Sequence, residues 1–375
     1  MSRPGINPVE YTYGPPNSGS TASSIPHPEP ISAAIYHIAG ITTTVFGLSE
    51  LPPGVTEVAV LWLLHPRLQT QACMAPFAAH LITSWNAHRS QGRRQTSNSK
   101  KGLIAVSFDQ RNHGSREVSA IANEAWRQGN DQHAQDMFSS FNGTSVDTSL
   151  LIDYLGAYVF PADDIKIVQH VVLGISLGGH AAWHCLMRDS RISAAIVTIG
   201  CPDYIRVMSD RARLSKRKTW LGGQGRNFLG SVDFPWTLVE AVRKHDPVGL
   251  IWGNLERRRG QEHLHDDLTA EEKEKLTPLM VKCFGNKRIL NLSGGSDKLV
   301  NYAHCKPFLD WLKKAIAKGG WFEGGGLYLE DVVFDGVGHG KLFLNVRGMV
   351  PCDRVGSPRC RMRPIILTLL HAHDL

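Results

Sequence analysis

Three polar residues, far apart in a 375-residue chain, have the types and local settings that nucleophilic catalysis needs. The first is Ser176, at the centre of Gly174-Ile-Ser-Leu-Gly178. An apolar, β-branched run, Ile165-Lys-Ile-Val-Gln-His-Val-Val-Leu173, precedes it, and a helix-forming run, Ala181-Ala-Trp-His-Cys-Leu-Met187, follows. Strand, sharp turn and helix would leave the serine hydroxyl exposed at the apex of the turn. A Gly-rich packing turn would account for the five residues alone; the strand–turn–helix setting points to a nucleophile. Serine needs a base to take its proton. His339 lies between glycines in Asp335-Gly-Val-Gly-His339-Gly340, a loop that predicts unhindered reach to the serine. Asp297, in Ser293-Gly-Gly-Ser-Asp297, follows an apolar run and would orient the histidine. A turn-forming role is the other reading of Asp297, and Asp203 is the rival acid. Asp335 is nearer to His339 in sequence but is expected to end a strand.

An oxyanion needs donors beside the nucleophile. Leu177 opens the helix after Ser176, so its N–H is free of intrahelical bonding and is a natural donor. A second donor is expected from the loop His65-Pro66-Arg67-Leu68. Proline has no N–H, which leaves Arg67 or, as the lesser choice, Leu68. His65 reads as a loop-shaping residue. Asp109 and His113, in Asp109-Gln-Arg-Asn-His113-Gly114, are expected in the same crevice, as a scaffold in preference to substrate contact.

Positioning these residues needs buried strands alternating with helices. The apolar runs at 58–64, 102–108, 165–173, 196–200, 287–292 and 326–334 predict strands, and 33–48 predicts a hairpin around Ala39-Gly40. Helices are predicted at 72–87, about 131–155 and 302–318, with Gly143 a weak point of the second. This alternation predicts an α/β chain with a mostly parallel, doubly wound sheet. Residues 202–285 break the rhythm with helices, loops and basic clusters, and are expected to be an inserted helical cap. The remaining boundaries are a flexible tail over 1–30, a core over 31–201 and 286–340, and an atypical tail over 341–375 that carries Pro351, Pro358 and Pro364.

Composition narrows the class. The seven cysteines are odd in number and lack C-x-x-C spacing, which reads as reduced thiols and neither a disulfide frame nor a zinc site. No cofactor or metal set is read. The net charge of +7 is concentrated in local clusters such as 211–218 and 257–259, without a nucleic-acid reader motif, so solvated faces are expected and not nucleic-acid binding. The first residues lack the apolar core of a secretory signal, and no apolar run reaches roughly 18 residues, so neither secretion nor a membrane span is expected and a cytoplasmic location is the default.

The loop at His65, the segment from Asp109, the elbow around Ser176, and the loops ending in Asp297 and His339 together resemble the α/β-hydrolase superfamily. The likeness spans about 33–340 and is closest to generic intracellular fungal-type members. It implies the α/β-hydrolase fold with a helical cap, Ser176, Asp297 and His339 as triad, and Leu177 and Arg67 as oxyanion donors. Proline stands where such proteins often have glycine after the loop histidine. The implied activity is cleavage of an ester or thioester of a small organic substrate through an acyl-enzyme. A peptidase or C–C hydrolase uses the same triad, and an inactive binding protein could retain the fold.

Overall fold

The computed structural model describes residues 29–91, 101–253, 255 and 268–340. The predicted tail at 341–375, all but the last two residues of the predicted tail at 1–30, and the basic cluster at 257–259 lie outside them. The strands are β1 (Ala33–Ile38), β2 (Ile41–Phe46), β3 (Glu57–Leu64), β4 (Lys101–Phe108), β5 (Lys166–Ile175), β6 (Ile192–Thr198), β7 (Arg288–Gly294) and β8 (Tyr328–Phe334). They form one sheet in the order β1-β2-β4-β3-β5-β6-β7-β8. β1, β2 and β4 pair antiparallel; every pairing from β4 through β3 to β8 is parallel. The β1–β2 turn uses Ala39 and Gly40, both at positive φ (50° and 77°), as a two-residue hairpin with right-handed twist requires.

The central strands are apolar because both faces are covered. Val58 to Leu64 of β3 and Leu103 to Val106 of β4 are at most 1% exposed. The helices are α1 (Ala75–Gln91), α2 (His133–Val159), α3 (Leu177–Arg188), α4 (Tyr204–Leu214), α5 (Lys218–Leu221), α6 (Trp236–His245), α7 (Pro247–Trp252), α8 (Ala270–Phe284) and α9 (Tyr302–Ile316). Helix α3 is buried from Leu177 to Met187, so it presents no polar face and sits between the sheet and α2. Gly143 lies inside α2, where a side chain would fall 2.5 Å from the Arg111 side chain laid across it. The glycine that weakens the helix locally therefore admits Arg111, whose guanidinium pairs with Asp147 one turn on (2.9 Å).

Several boundaries differ from expectation; the first two long helices, for example, run on to Gln91 and Val159. The strand predicted at 196–200 is shifted: β6 ends at Thr198, and Ile199 turns away with φ 56° while its N–H donates to Leu292 O (2.8 Å). Short 3-10 turns over Gly114–Arg116, Ala120–Asn123 and Trp126–Gln128 precede α2, which begins at His133. Helix α1 is preceded by a 3-10 turn, Gln71–Met74. Between β6 and β7 the chain is helical, from α4 to α8. Helix α8 starts at a capping box of Thr269 and Glu272, and buries Leu276, Met280 and Cys283 on a side that meets α3. It is thus the crossover helix that returns the chain to β7. Among the described residues no helix is long and apolar enough to cross a membrane.

Candidate active site

The carboxyl ends of β3, β5, β7 and β8 meet at one point. Ser176 follows β5 with φ 56° and ψ −110°, a conformation that costs a non-glycine residue about 1–3 kcal/mol. Two backbone bonds hold it there: its N–H donates to Thr198 O (2.9 Å), and its carbonyl accepts from His180 N–H (3.0 Å). The surrounding glycines are required by contact. A Cβ on Gly174 would lie 1.9 Å from Gly178 O, and one on Gly178 would lie 2.1 Å from Leu64 O. Gly200, which the sequence reading passed over, belongs to the same knot: its Cβ would fall 2.4 Å from the Gly179 carbonyl carbon. These are backbone-to-backbone clashes, so no rotamer change relieves them. Gly178→Ala should lower stability by about 2–4 kcal/mol, read as a fall in the urea midpoint at constant m-value. A midpoint equal to wild type would show that the close approach at Leu64 is not obligatory.

Ser176 Oγ lies 3.0 Å from His339 Nε2, and His339 Nδ1 lies 2.7 Å from Asp297 Oδ2. A carboxylate can only accept, so Nδ1 carries the proton and Nε2 is left as acceptor for the serine hydroxyl. The side chains of His339 and Asp297 are 9% and 0% exposed. The other carboxylate oxygen of Asp297 accepts the N–H groups of Leu299 (2.7 Å) and Val300 (3.0 Å), which fixes its plane. The rival carboxylates are placed elsewhere. Asp203 caps α4 by accepting the Arg206 N–H (3.0 Å), and Asp335 lies exposed in the turn after β8.

That strand order, with its antiparallel edge, the serine elbow after β5 and an acid and histidine after β7 and β8, decides the architecture. The chain has the α/β-hydrolase fold. No family model and no curated protein sequence matches it. Among solved structures, it is similar to TT1662 from Thermus thermophilus at 14% identity and TM-score 0.47, over 91% of this chain and 97% of that one. It is similar to the acylaminoacyl peptidase of Pyrococcus horikoshii at 13% identity and TM-score 0.48, over 92% of this chain but 41% of the peptidase. The Pyrococcus furiosus esterase Pf2001 matches at 11% identity and TM-score 0.44, over 91% and 90% of the two chains.

Leu177 and Arg67 both line a cavity of about 310 Å³ beside the elbow of this α/β-hydrolase fold. Register explains their proximity: Leu64 pairs with Gly174, which brings the loop after β3 against the start of α3. Arg67 is 8% exposed and its guanidinium donates to Asn123 O. Leu68, its neighbour, is at φ 64°.

His65 and Asp109 shape this loop. His65 is fully buried, with Nδ1 2.8 Å from Pro66 O and Nε2 accepting the Gln110 N–H at 2.9 Å. Burial and the neighbouring His113 lower its pKa to about 4, so it is a neutral link between two loops. Asp109 accepts the Gln71 N–H (2.7 Å) through one oxygen and the Ser115 N–H and hydroxyl (both 2.8 Å) through the other. Burial would raise its pKa, but these donated hydrogen bonds outweigh it and hold the carboxyl below its usual range. His113 stands edge-on to His65, with ring centroids 5.4 Å apart, and its Nδ1 is 3.0 Å from Arg111 O.

Two further contributors lie outside the motifs, and one corrects an expectation: Arg211, in the basic cluster at 211–218 expected as a solvated face, is turned inward. Asn123 comes from the 3-10 turns before α2. Arg211 of α4 reaches His133 Nε2 (3.3 Å) on α2 and Leu299 O (3.4 Å), tying the helices after β6 to the loop that holds Asp297. His133 Nδ1 is 2.8 Å from Glu124 O, and burial together with Arg67 and Arg211 pushes its pKa well down. The sites predicted from the residues after β3, β4, β5, β7 and β8 thus converge, while their support comes from segments without a motif.

Proposed function

We propose that the protein is a serine hydrolase that cleaves an ester or thioester of a small organic molecule through an acyl-enzyme. The observation that carries this reading is the hydrogen-bonded series from Ser176 Oγ through His339 to Asp297. In the first step His339 Nε2 takes the Ser176 proton as Oγ bonds to the substrate carbonyl carbon. The resulting oxyanion is held by the N–H groups of Leu177 and Arg67. Asp297 stabilises the imidazolium and keeps its orientation. His339 then gives its proton to the departing alcohol or thiol, the C–O or C–S bond breaks, and Ser176 is acylated. Water enters, His339 takes one of its protons, and a second passage through the oxyanion releases the acid and restores Ser176.

The helices α4 to α6 form the lid of this site in the same reading. Their ties to the start of α2 support it: Tyr204 Oη donates to Ala134 O (2.6 Å), and Gln135 Nε2 to Val232 O (3.3 Å). A lid so placed would select the substrate, while the elbow performs the chemistry.

The test is covalent labelling with a fluorophosphonate, which reacts with a serine activated in this way. Intact-mass and peptide analysis should find one adduct, on Ser176, with turnover of p-nitrophenyl acetate lost in step with labelling. Folded protein that takes no label and turns over no ester would favour a binding role for the fold.

A further inference from the structure

Asp297 is a carboxylate taken out of water, with a side chain that is 0% exposed. Its partners are the His339 Nδ1–H and the N–H groups of Leu299 and Val300. None of these carries a full charge while His339 Nε2 accepts from Ser176. A buried charge is stable only where a counter-charge or strong polar groups offset its lost hydration. A positive charge reaches Asp297 through one peptide group. Arg211 Nη2, on α4, donates to Leu299 O in a long bond of 3.4 Å. The same peptide group ends in the Val300 N–H, which donates to Asp297 Oδ1 at 3.0 Å. Its dipole therefore points its negative end at the guanidinium and its positive end at the carboxylate. Hydrogen bonds in series polarise and strengthen one another where the dielectric is low.

The surroundings of Arg211 leave Asp297 as its counter-charge. Its other partners are His133 Nε2 (3.3 Å) and Met137 Sδ (2.8 Å), and neither is an anion. Burial lowers the pKa of His133, and the Arg67 and Arg211 charges lower it further. His180, on α3, is lowered to about 3 by burial and then by Arg211. Burial also lowers the pKa of Arg211 itself, and Tyr204, Asp297, Cys201 and Asp210 pull against it. Burial raises the pKa of Tyr204 and of Cys201, so both stay protonated. Asp210 is already paired with Arg213 (2.6 Å) and lies 3.3 Å from His304 Nε2. Asp297 remains.

We propose that Arg211 is a positioning residue for the reaction: its charge, carried by the 299–300 peptide, steadies the Asp297 carboxylate in the plane that orients His339. The inference rests on the serine-hydrolase reading, because only there does His339 need orienting. Arg211 touches neither substrate nor the reacting atoms in that reading. It acts through Asp297, from a helix that carries none of the triad.

The experiment compares the full-length wild type with Arg211→Met, Arg211→Lys and Arg211→Gln on p-nitrophenyl acetate. Arg211→Met should lower kcat by about 10- to 100-fold with KM nearly unchanged, since a misplaced base loses rate and not substrate binding. Arg211→Lys, which keeps the charge, should regain most of the loss. Arg211→Gln, which keeps a donor for Leu299 O without the charge, should regain little. Proton NMR reads the contact itself. The Nδ1–H that His339 donates to Asp297 should give a resonance downfield of the amides, identified by its absence in His339→Gln. That resonance should shift or broaden in Arg211→Met and return in Arg211→Lys. A wild-type kcat and an unmoved resonance in folded Arg211→Met would overturn the proposal, leaving Arg211 a tie between helices. A raised KM at wild-type kcat would overturn it too, by confining the residue to the lid. So would a loss that Arg211→Lys does not relieve, or that Arg211→Gln relieves equally, since charge would then not be the cause. If Arg211→Met does not fold, Arg211→Gln decides: a lowered kcat supports the charge, and a wild-type kcat overturns it. Failure of fluorophosphonate labelling at Ser176 would sink the hydrolase reading separately, while the His339 resonance would still decide the link from Arg211 to Asp297.

Discussion

Ser176→Ala should lower kcat/KM for p-nitrophenyl acetate by about five orders of magnitude while leaving the fold intact. The size follows from what is removed. The hydroxyl is the only atom that bonds to substrate carbon in the proposed mechanism, and it lies 3.0 Å from His339 Nε2, the base that would take its proton. What remains is binding and the oxyanion donors, which sustain a small residual rate. The fold should survive because the turn does not depend on the hydroxyl. Ser176 is held at φ 56° by backbone bonds to Thr198 and His180, and an alanine at that φ carries similar strain. Circular dichroism and an unchanged urea midpoint are the controls. A variant that retains the wild-type rate would place the nucleophile elsewhere.

Asp297→Asn should reduce kcat by about 10⁴-fold, again with little loss of structure. The argument is one of hydrogen-bond polarity. In the native site one carboxylate oxygen accepts from His339 Nδ1 at 2.7 Å, and the other accepts from the N–H groups of Leu299 and Val300. An asparagine has one oxygen and one NH₂. If the NH₂ faces His339, Nδ1 must become the acceptor, the proton moves to Nε2, and the base can no longer take the serine proton. If the NH₂ faces the backbone, two N–H groups meet it head-on and the loop after β7 must shift. Either orientation loses activity, and the first leaves the fold undisturbed. A rate within tenfold of wild type across pH 6–9 would remove Asp297 from the mechanism and reopen the case for another carboxylate.

Much of the architecture was legible because the relevant signals are local. Continuous apolar runs announce strands covered on both faces, and β3, β4 and β5 are such strands. Glycines around Ser176 announce close backbone approach, and the clash distances at Gly174 and Gly178 give the reason. Boundaries were less legible where a long-range contact decides them. Ile199 leaves β6 because Gly200 must pack against Gly179 and because Leu292, a residue of β7, accepts its N–H. The 3-10 turns from 114 to 128 carry no periodicity, yet Asn123 within them accepts the Arg67 guanidinium and forms part of the cavity wall. The helical segment after β6 was legible as a break in rhythm. That its last helix, α8, is a crossover packed on α3 depends on its buried face of Leu276, Met280 and Cys283 meeting another apolar surface.

The chain by itself determined which residue types could react and in what order they occur: a serine between glycines, then an acid, then a histidine, each beyond a strand end. That information is local, since turn chemistry and hydrophobic period are set by near neighbours. Distance is not local. Ser176 and His339 are 163 residues apart in sequence and 3.0 Å apart in space because parallel pairing aligns the ends of β5, β6, β7 and β8 on one edge of the sheet. Only the tertiary structure could decide that Asp297 meets His339 while Asp203 caps a helix, since both aspartates follow strands with similar local sequence signals.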